Sequence, residues 1–159
     1  MIRELKTDAE FEALYKQIKA LNAVLTEAQY KDRLKGMRAH GYRCVAAFDN
    51  TKHHEGKQMV GAAGFWIGWR FWCGKYIDID NVVVDESMRG RQIGKKMMSF
   101  VEAIGRAEAC DLAVLDTYAS NFSSHKFYYK LDYFTLGYHM VKSLRPDGKL
   151  PDSAVQARG

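Results

Sequence analysis

The stretch that most constrains the fold covers residues 76–100, YIDIDNVVVDESMRGRQIGKKMMSF. It begins as an alternating, β-branched strand and crosses a basic turn holding Gly90 and Gly94. It ends in a segment whose apolar residues Ile93, Met97, Val101 and Ile104 recur at helical spacing. A strand that turns straight into a helix leaves the first N–H groups of that helix unpaired, at the positive end of its dipole. Such a unit suits a phosphate. The cations Arg89, Arg91, Lys95 and Lys96 are concentrated there, although the net charge of the whole chain is only +5. That local density favours a phosphate-bearing ligand over a diffuse nucleic-acid face. A solvated helix start uses the same residue types, so the cluster alone assigns no ligand.

The flanking sequence supplies the rest of a mixed α/β domain. Residues 2–6 suit a short edge strand. Thr7 with Glu10, and Thr26 with Gln29, are capping boxes that start helices over residues 8–22 and from 27 to near Gly41. Strands are expected over 43–49, 58–69 and 71–85, the last two joined by a hairpin near Trp69 and Arg70. After the helix that follows Gln92 come a strand over 112–117, a short helix over 121–131 and a final strand over 133–141. Residues 50–56, with His53 and His54, read as a polar loop. The domain is expected over residues 1–144, with 145–159 a polar tail. The order β-α-α-β-β-β-α-β-α-β implies an antiparallel front and parallel pairing across the later helical crossover.

Several classes are excluded or disfavoured. No apolar run approaches the roughly 20 residues needed to span a bilayer. The first residues lack the apolar core of a signal peptide. Cys44, Cys73 and Cys110 are scattered and odd in number, which fits a reducing cytoplasm rather than a disulfide framework. His53 and His54 have no third ligand at useful spacing, so no metal is expected. The turn fails as a nucleotide P-loop: three residues separate its glycines, and Lys96 stands where Ser or Thr would hold magnesium. No Gly-x-Gly pair opens it, so the dinucleotide fingerprint fails too.

The stretch does resemble the acyl-CoA-binding motif of the GNAT superfamily of N-acetyltransferases, Arg/Gln-x-x-Gly-x-Gly/Ala after a valine-rich strand. Val82, Val83 and Val84 lead into Arg89-Gly90-Arg91-Gln92-Ile93-Gly94, where Arg89 matches the first position and Gly94 the last. Gln92 replaces the first glycine. A second family pattern, Asn-x-x-Ala-x-x-(Leu/Phe)-Tyr-x-x-x-Gly-Phe, is similar to residues 121–133. There Asn121, Phe127 and Tyr128 match, and Ser124, Asp132 and Tyr133 differ from the pattern. The resemblance implies a GNAT fold: a mostly antiparallel mixed sheet of six to seven strands, splayed at the acyl-CoA site and flanked by about four helices.

It also implies a function, transfer of acetyl from acetyl-CoA to a primary amine by direct attack in a ternary complex. The acceptor is a small molecule or a protein lysine or N-terminus. Acetyl-CoA would be held by Val82, Val83, Val84, Arg89, Gly90, Arg91, Gln92, Ile93, Gly94, Lys95, Asn121 and Tyr128, with the Val84 N–H polarising the thioester carbonyl. Tyr128 is the implied proton donor to the leaving thiolate. An amine of pKa near ~10.4 is almost fully protonated at neutral pH, so a carboxylate must take its proton. Asp78 and Asp80 share one side of their strand, with Trp72 and Tyr76 at the same parity. Two carboxylates and two aromatics suit a cationic amine. Asp78 falls where some family members carry a catalytic glutamate, and parity does not choose between it and Asp80. A non-catalytic acyl-CoA-binding regulator and a nucleic-acid-binding module are the competing readings. A homodimer is compatible with the sequence.

Overall fold

The computed structural model describes residues 1–49 and 58–152. The expected loop with His53 and His54, and the last residues of the tail, lie outside the described residues. The chain divides into two units, Met1–Leu115 and Asp116–Gly159, each described by itself.

The first unit is built on one five-stranded sheet in the order β1-β2-β3-β4-β5. Its strands are β1 (Ile2–Glu4), β2 (Arg43–Asp49), β3 (Gln58–Arg70), β4 (Gly74–Val84) and β5 (Leu112–Leu115). The first four pair antiparallel, and β5 lies parallel to β4. This is the mixed sheet with an antiparallel front that the order of elements implies.

Three helices precede β2: α1 (Asp8–Ala13), α2 (Tyr15–Leu21) and α3 (Glu27–Ala39). The single helix expected over residues 8–22 is thus two, jointed at Leu14. Both capping boxes are formed. Glu10 accepts from the N–H groups of Thr7 and Lys6 at 3.0 and 2.7 Å. Helix α4 (Ile93–Ala107) covers the opposite face of the sheet. Its Met97, Met98 and Val101 are fully buried, as their spacing predicts.

Cross-strand register assigns the two faces. Phe11, Leu14, Tyr30, Tyr42, Cys44, Ala46, Ala62 and Val83 form one core cluster with α1–α3. Ile77 and Gly61 face α4: a Cβ at Gly105 would meet the Ile77 side chain at 2.9 Å, and one at Gly61 would meet Met97 at 3.1 Å. Glycine at these positions lets the helix lie close to the sheet.

The second unit carries α5 (Phe122–Tyr129). The strand expected over 133–141 is not formed: these residues belong to no ladder among the described residues. Phe134, Leu136, Tyr138 and Met140 alternate as they would in a strand, but all four are exposed. Period-two patterning marks a segment that can be a strand, while a strand exists only where a neighbour accepts its hydrogen bonds.

Candidate functional site

The site begins with an irregularity in β4. The β3–β4 register shifts between Ala62, opposite Val83, and Gly64, opposite Asp80. One extra residue is therefore accommodated in β4 between Asp80 and Val83, and Asn81 takes a left-handed conformation, φ 53°. The bulge reverses the parity of everything after it. Asp78 and Asp80 lie on the α1–α3 side, opposite Ile77 and Ile79 as alternation predicts. Beyond the bulge, Val83 joins that same side and Val84 turns toward α4.

Next to the bulge the sheet opens. β5 accompanies β4 only as far as Ile79, opposite Leu115, whereas β3 follows it to Val84. Among the described residues no strand covers the other edge of residues 80–84. The N–H of Asp85 donates to the carbonyl of Val60 at 2.8 Å. Adjacent strand residues point their N–H groups to opposite sides, so that of Val84 points at the open edge. The splay expected at Val82, Val83 and Val84 thus has a definite origin, a short β5 beside a long β4.

The basic turn follows. A single 3-10 turn, Glu86–Met88, leads to Arg89, and Gly90 adopts φ 78°. Gln92 caps α4 with φ 60° and ψ 15°, and its side chain makes no capping bond. The first helical bond runs from the N–H of Lys96 to the carbonyl of Gln92, 3.0 Å. The N–H groups of residues 90–95 have no carbonyl or side-chain acceptor among the described residues. Arg89, Gly90, Arg91, Gln92 and Lys95 are exposed, and Ile93 and Gly94 half-buried. A Cβ at Gly90 would meet nothing within 4 Å. A row of unpaired amides at a helix start, flanked by cations and open to solvent, can hold a pyrophosphate. The residues present therefore fit the phosphates of acetyl-CoA.

The acceptor side differs in detail from the sequence reading. Trp72 lies in the turn between β3 and β4, half exposed, so strand parity does not reach it. Tyr76 and Asp78 do share a side, but the chain's own Arg70 sits between them. Its guanidinium carbon is 4.5 Å from the centre of the Tyr76 ring, and a guanidinium nitrogen is 3.9 Å from an Asp78 oxygen. An arginine therefore stands between this ring and this carboxylate, where a cationic amine would otherwise fit. Asp80 accepts from the N–H of Asn81 at 2.8 Å and from its carboxamide at 2.5 Å.

Tyr42, Gly64 and Asn81 were missed by sequence reasoning. Signals were present: a glycine inside the Gly61–Gly64 run, and a lone asparagine in a β-branched strand, each mark a bulge or close approach. Tyr42 is buried, with its ring 4.8 Å from that of Trp66. Burial pushes its phenol well above the ordinary range, and nearby Cys44 and Asp80 add to this.

In the second unit, Asn121 caps α5, its carboxamide oxygen accepting from the N–H of Ser124 at 3.2 Å and the hydroxyl of Ser123 at 2.9 Å. Tyr128 lies on the same helix, its ring 5.1 Å from Phe127 and 6.0 Å from Tyr133. The helix closes with N–H bonds from Asp132 to Tyr129 and from Tyr133 to Tyr128, both 3.2 Å. Asp132, with φ 65°, occupies the left-handed position between them. Among the described residues no group of three His, Cys, Asp or Glu could hold a metal ion, and no helix is long and apolar enough to cross a membrane.

Comparison with known proteins agrees with this arrangement. No curated protein sequence matches the chain. Solved structures do. Glucosamine-6-phosphate N-acetyltransferase from Arabidopsis thaliana is 22% identical with a TM-score of 0.70, covering 91% of this chain and 98% of that one. An acetyltransferase of Trypanosoma brucei is 24% identical, TM-score 0.71, covering 91% and 99%. The aminoglycoside N-acetyltransferase AAC(6')-Iy, solved with CoA, is 18% identical, TM-score 0.75, covering 91% and 94%. At these identities the likeness carries the fold. A model of the acetyltransferase (GNAT) family matches residues 6–133. With a sheet opened beside a bulged β4, an amide row at the start of α4 and a family match over most of its length, the chain belongs to the GNAT acetyltransferase family.

Proposed function

We propose that this protein transfers acetyl from acetyl-CoA to a primary amine by direct attack in a ternary complex. The observation that carries the reading is the row of unpaired amides at residues 90–95, next in the chain to the open edge of β4. A helix N-terminus of this kind stabilises bound anions, and Arg89, Arg91 and Lys95 add charge. Gly90, Gln92, Ile93 and Gly94 supply backbone donors, and Val82 and Val83 carry the strand edge along which the pantetheine arm would lie. In the second unit we assign Asn121 to cosubstrate binding as well.

The Val84 N–H donates to the thioester oxygen as the amine nitrogen attacks the carbonyl carbon, and charge builds on that oxygen. Asp80 is assigned as the base that takes the amine's proton. Asp78 lies within the stretch that β5 covers and has the Arg70 guanidinium 3.9 Å away, so it is assigned with Tyr76 to positioning the acceptor, whereas Asp80 lies beyond the end of β5. The C–S bond then breaks, and Tyr128 protonates the CoA thiolate. A tyrosine of pKa ~10 giving its proton to a thiolate whose conjugate acid has pKa ~8.5 is uphill by about 2 kcal/mol, which a polar site can offset. Trp72, exposed at the hairpin tip, is assigned to the outer wall of the acceptor site.

The test is thiol release from acetyl-CoA across a panel of amines: diamines, amino acids, aminoglycosides and lysine peptides. Loss of a general base typically costs 10²–10⁴-fold in rate, so Asp80→Asn is expected to lose about 10²-fold or more. Asp78→Asn should mainly raise the acceptor KM. Acetyl-CoA binding without thiol release from any amine would make the protein a non-catalytic acyl-CoA-binding module instead.

A further inference from the structure

Asp80 does not stand alone on its side of the sheet. Gly64 is its cross-strand partner, and the space a side chain at Gly64 would fill is taken by Tyr42: a Cβ there would lie 2.5 Å from two atoms of the Tyr42 ring. The ring is fixed from three directions. It packs at a tilt against Trp66, itself opposite Asp78, with ring centres 4.8 Å apart. It covers Gly64. Its backbone is tied to the end of α3, because the N–H of Tyr42 donates to the carbonyl of Met37 at 3.0 Å across left-handed Gly41. The Asn81 side chain acts as a donor toward the phenol oxygen, which partly offsets the effect of burial on the phenol. The Asn81 carboxamide in turn donates to Asp80 at 2.5 Å.

We propose that Tyr42 is a positioning residue for this site: it holds Asn81 in its left-handed turn and thereby fixes the direction of the Asp80 carboxylate. The proposal rests on the reading of Asp80 as the base and adds how that base is held. The physical reasons are two. A left-handed asparagine costs conformational energy that local structure must hold in place. The backbone N–H of Asn81 binds one oxygen of the Asp80 carboxylate and the carboxamide the other, and the carboxamide keeps that direction better when it also donates to the fixed phenol oxygen. The ionisable groups that share this face are Tyr42 and Cys44 from β2 and the turn before it, Tyr30 from α3, Arg70 from β3, and Tyr76 and Asp78 from β4.

Tyr42→Phe keeps the ring and removes only the hydroxyl. Asn81→Gly keeps the left-handed backbone without strain and removes the carboxamide, and it serves if Tyr42→Phe does not fold. Both are expected to lower kcat about tenfold while the KM for acetyl-CoA stays within about twofold. The acidic limb of the kcat/KM profile should move to higher pH, since the carboxylate has lost a donor that favours its charged form. The second readout does not depend on turnover. In 13C-aspartate-labelled protein, with the Asp80 resonance assigned by its absence from Asp80→Asn, the Asp80 titration midpoint should rise by about half a pH unit or more in both variants. Wild-type kcat and an unmoved limb in both variants would overturn the proposal, as would coincident Asp80 midpoints. If the wild-type protein acetylates no amine, the catalytic reading fails, and the midpoints alone decide whether Tyr42 holds Asp80.

Discussion

Replacing Gln92 by glycine should stabilise the protein. Gln92 stands at the start of α4 with φ 60°, exposed, with no side-chain capping bond. A left-handed conformation costs an L-residue about 1–2 kcal/mol. Glycine removes that cost and gives back about 0.4–1 kcal/mol through its greater freedom in the unfolded chain. Because the side chain makes no capping bond, little else is lost, and the net expectation is a gain of about 0.5–1 kcal/mol. For a chain of this length that is a rise in Tm of about 1–4 °C. Gly90→Ala is the complementary change. Gly90 has φ 78° and open space where a Cβ would go, so any cost comes from the backbone alone and should be about 1 kcal/mol. Thermal and urea unfolding, with unchanged m-values, measure both. A destabilised Gln92→Gly together with a neutral Gly90→Ala would refute the reasoning, because the turn would then not be held in the left-handed geometry on which the amide row depends.

Gly64→Ala should cost about 1–3 kcal/mol in urea unfolding, since the new methyl must displace the buried Tyr42 ring. The Glu10 carboxyl is held down to about 2 by the N–H groups of Lys6 and Thr7, and then by Arg3. A depressed folded-state value gives stability that is present at neutral pH and lost as pH falls from about 4.5 toward about 2. The stability gap between wild type and Glu10→Ala should therefore narrow across that window, and a gap independent of pH would contradict the assignment. Burial pushes the Cys44 thiol up to about 12, so a thiol reagent at pH 8 should leave it unmodified in native protein and label it once urea unfolds the chain.

Much of this protein can be read from residue order because the signals are local. The two capping boxes are short-range hydrogen-bond patterns, and they start helices where Thr7 and Thr26 predict. The spacing of Met97 and Val101 defines the buried stripe of α4. The motif Arg89 to Gly94 marks a turn whose conformation survives the loss of a glycine. Gln92, and likewise Asp132 in the second unit, adopt the left-handed geometry that glycine would have taken more cheaply. Alternation also placed Asp78 and Asp80 together, because two residues along an unbroken strand always share a face.

What residue order left open depends on which side chains the strand register and the packing of elements bring together. No local pattern revealed that Arg70 lies over Tyr76 and beside Asp78, or that the phenol of Tyr42 fills the space above Gly64 and reaches Asn81. The alternating residues 133–141 carried the period of a strand, yet a ladder needs a neighbour that sequence periodicity cannot supply. The break of α1 from α2 at Leu14, the bulge at Asn81 and the opening beyond Ile79 likewise come from how elements meet. The sequence by itself determined the family, the order of elements and the turn that can hold a phosphate, since each is written in neighbouring residues. Only the tertiary structure decided which side chains surround each carboxylate, because Arg70 reaches Asp78, and Tyr42 comes to lie over Gly64 opposite Asp80, only after the sheet has formed its register.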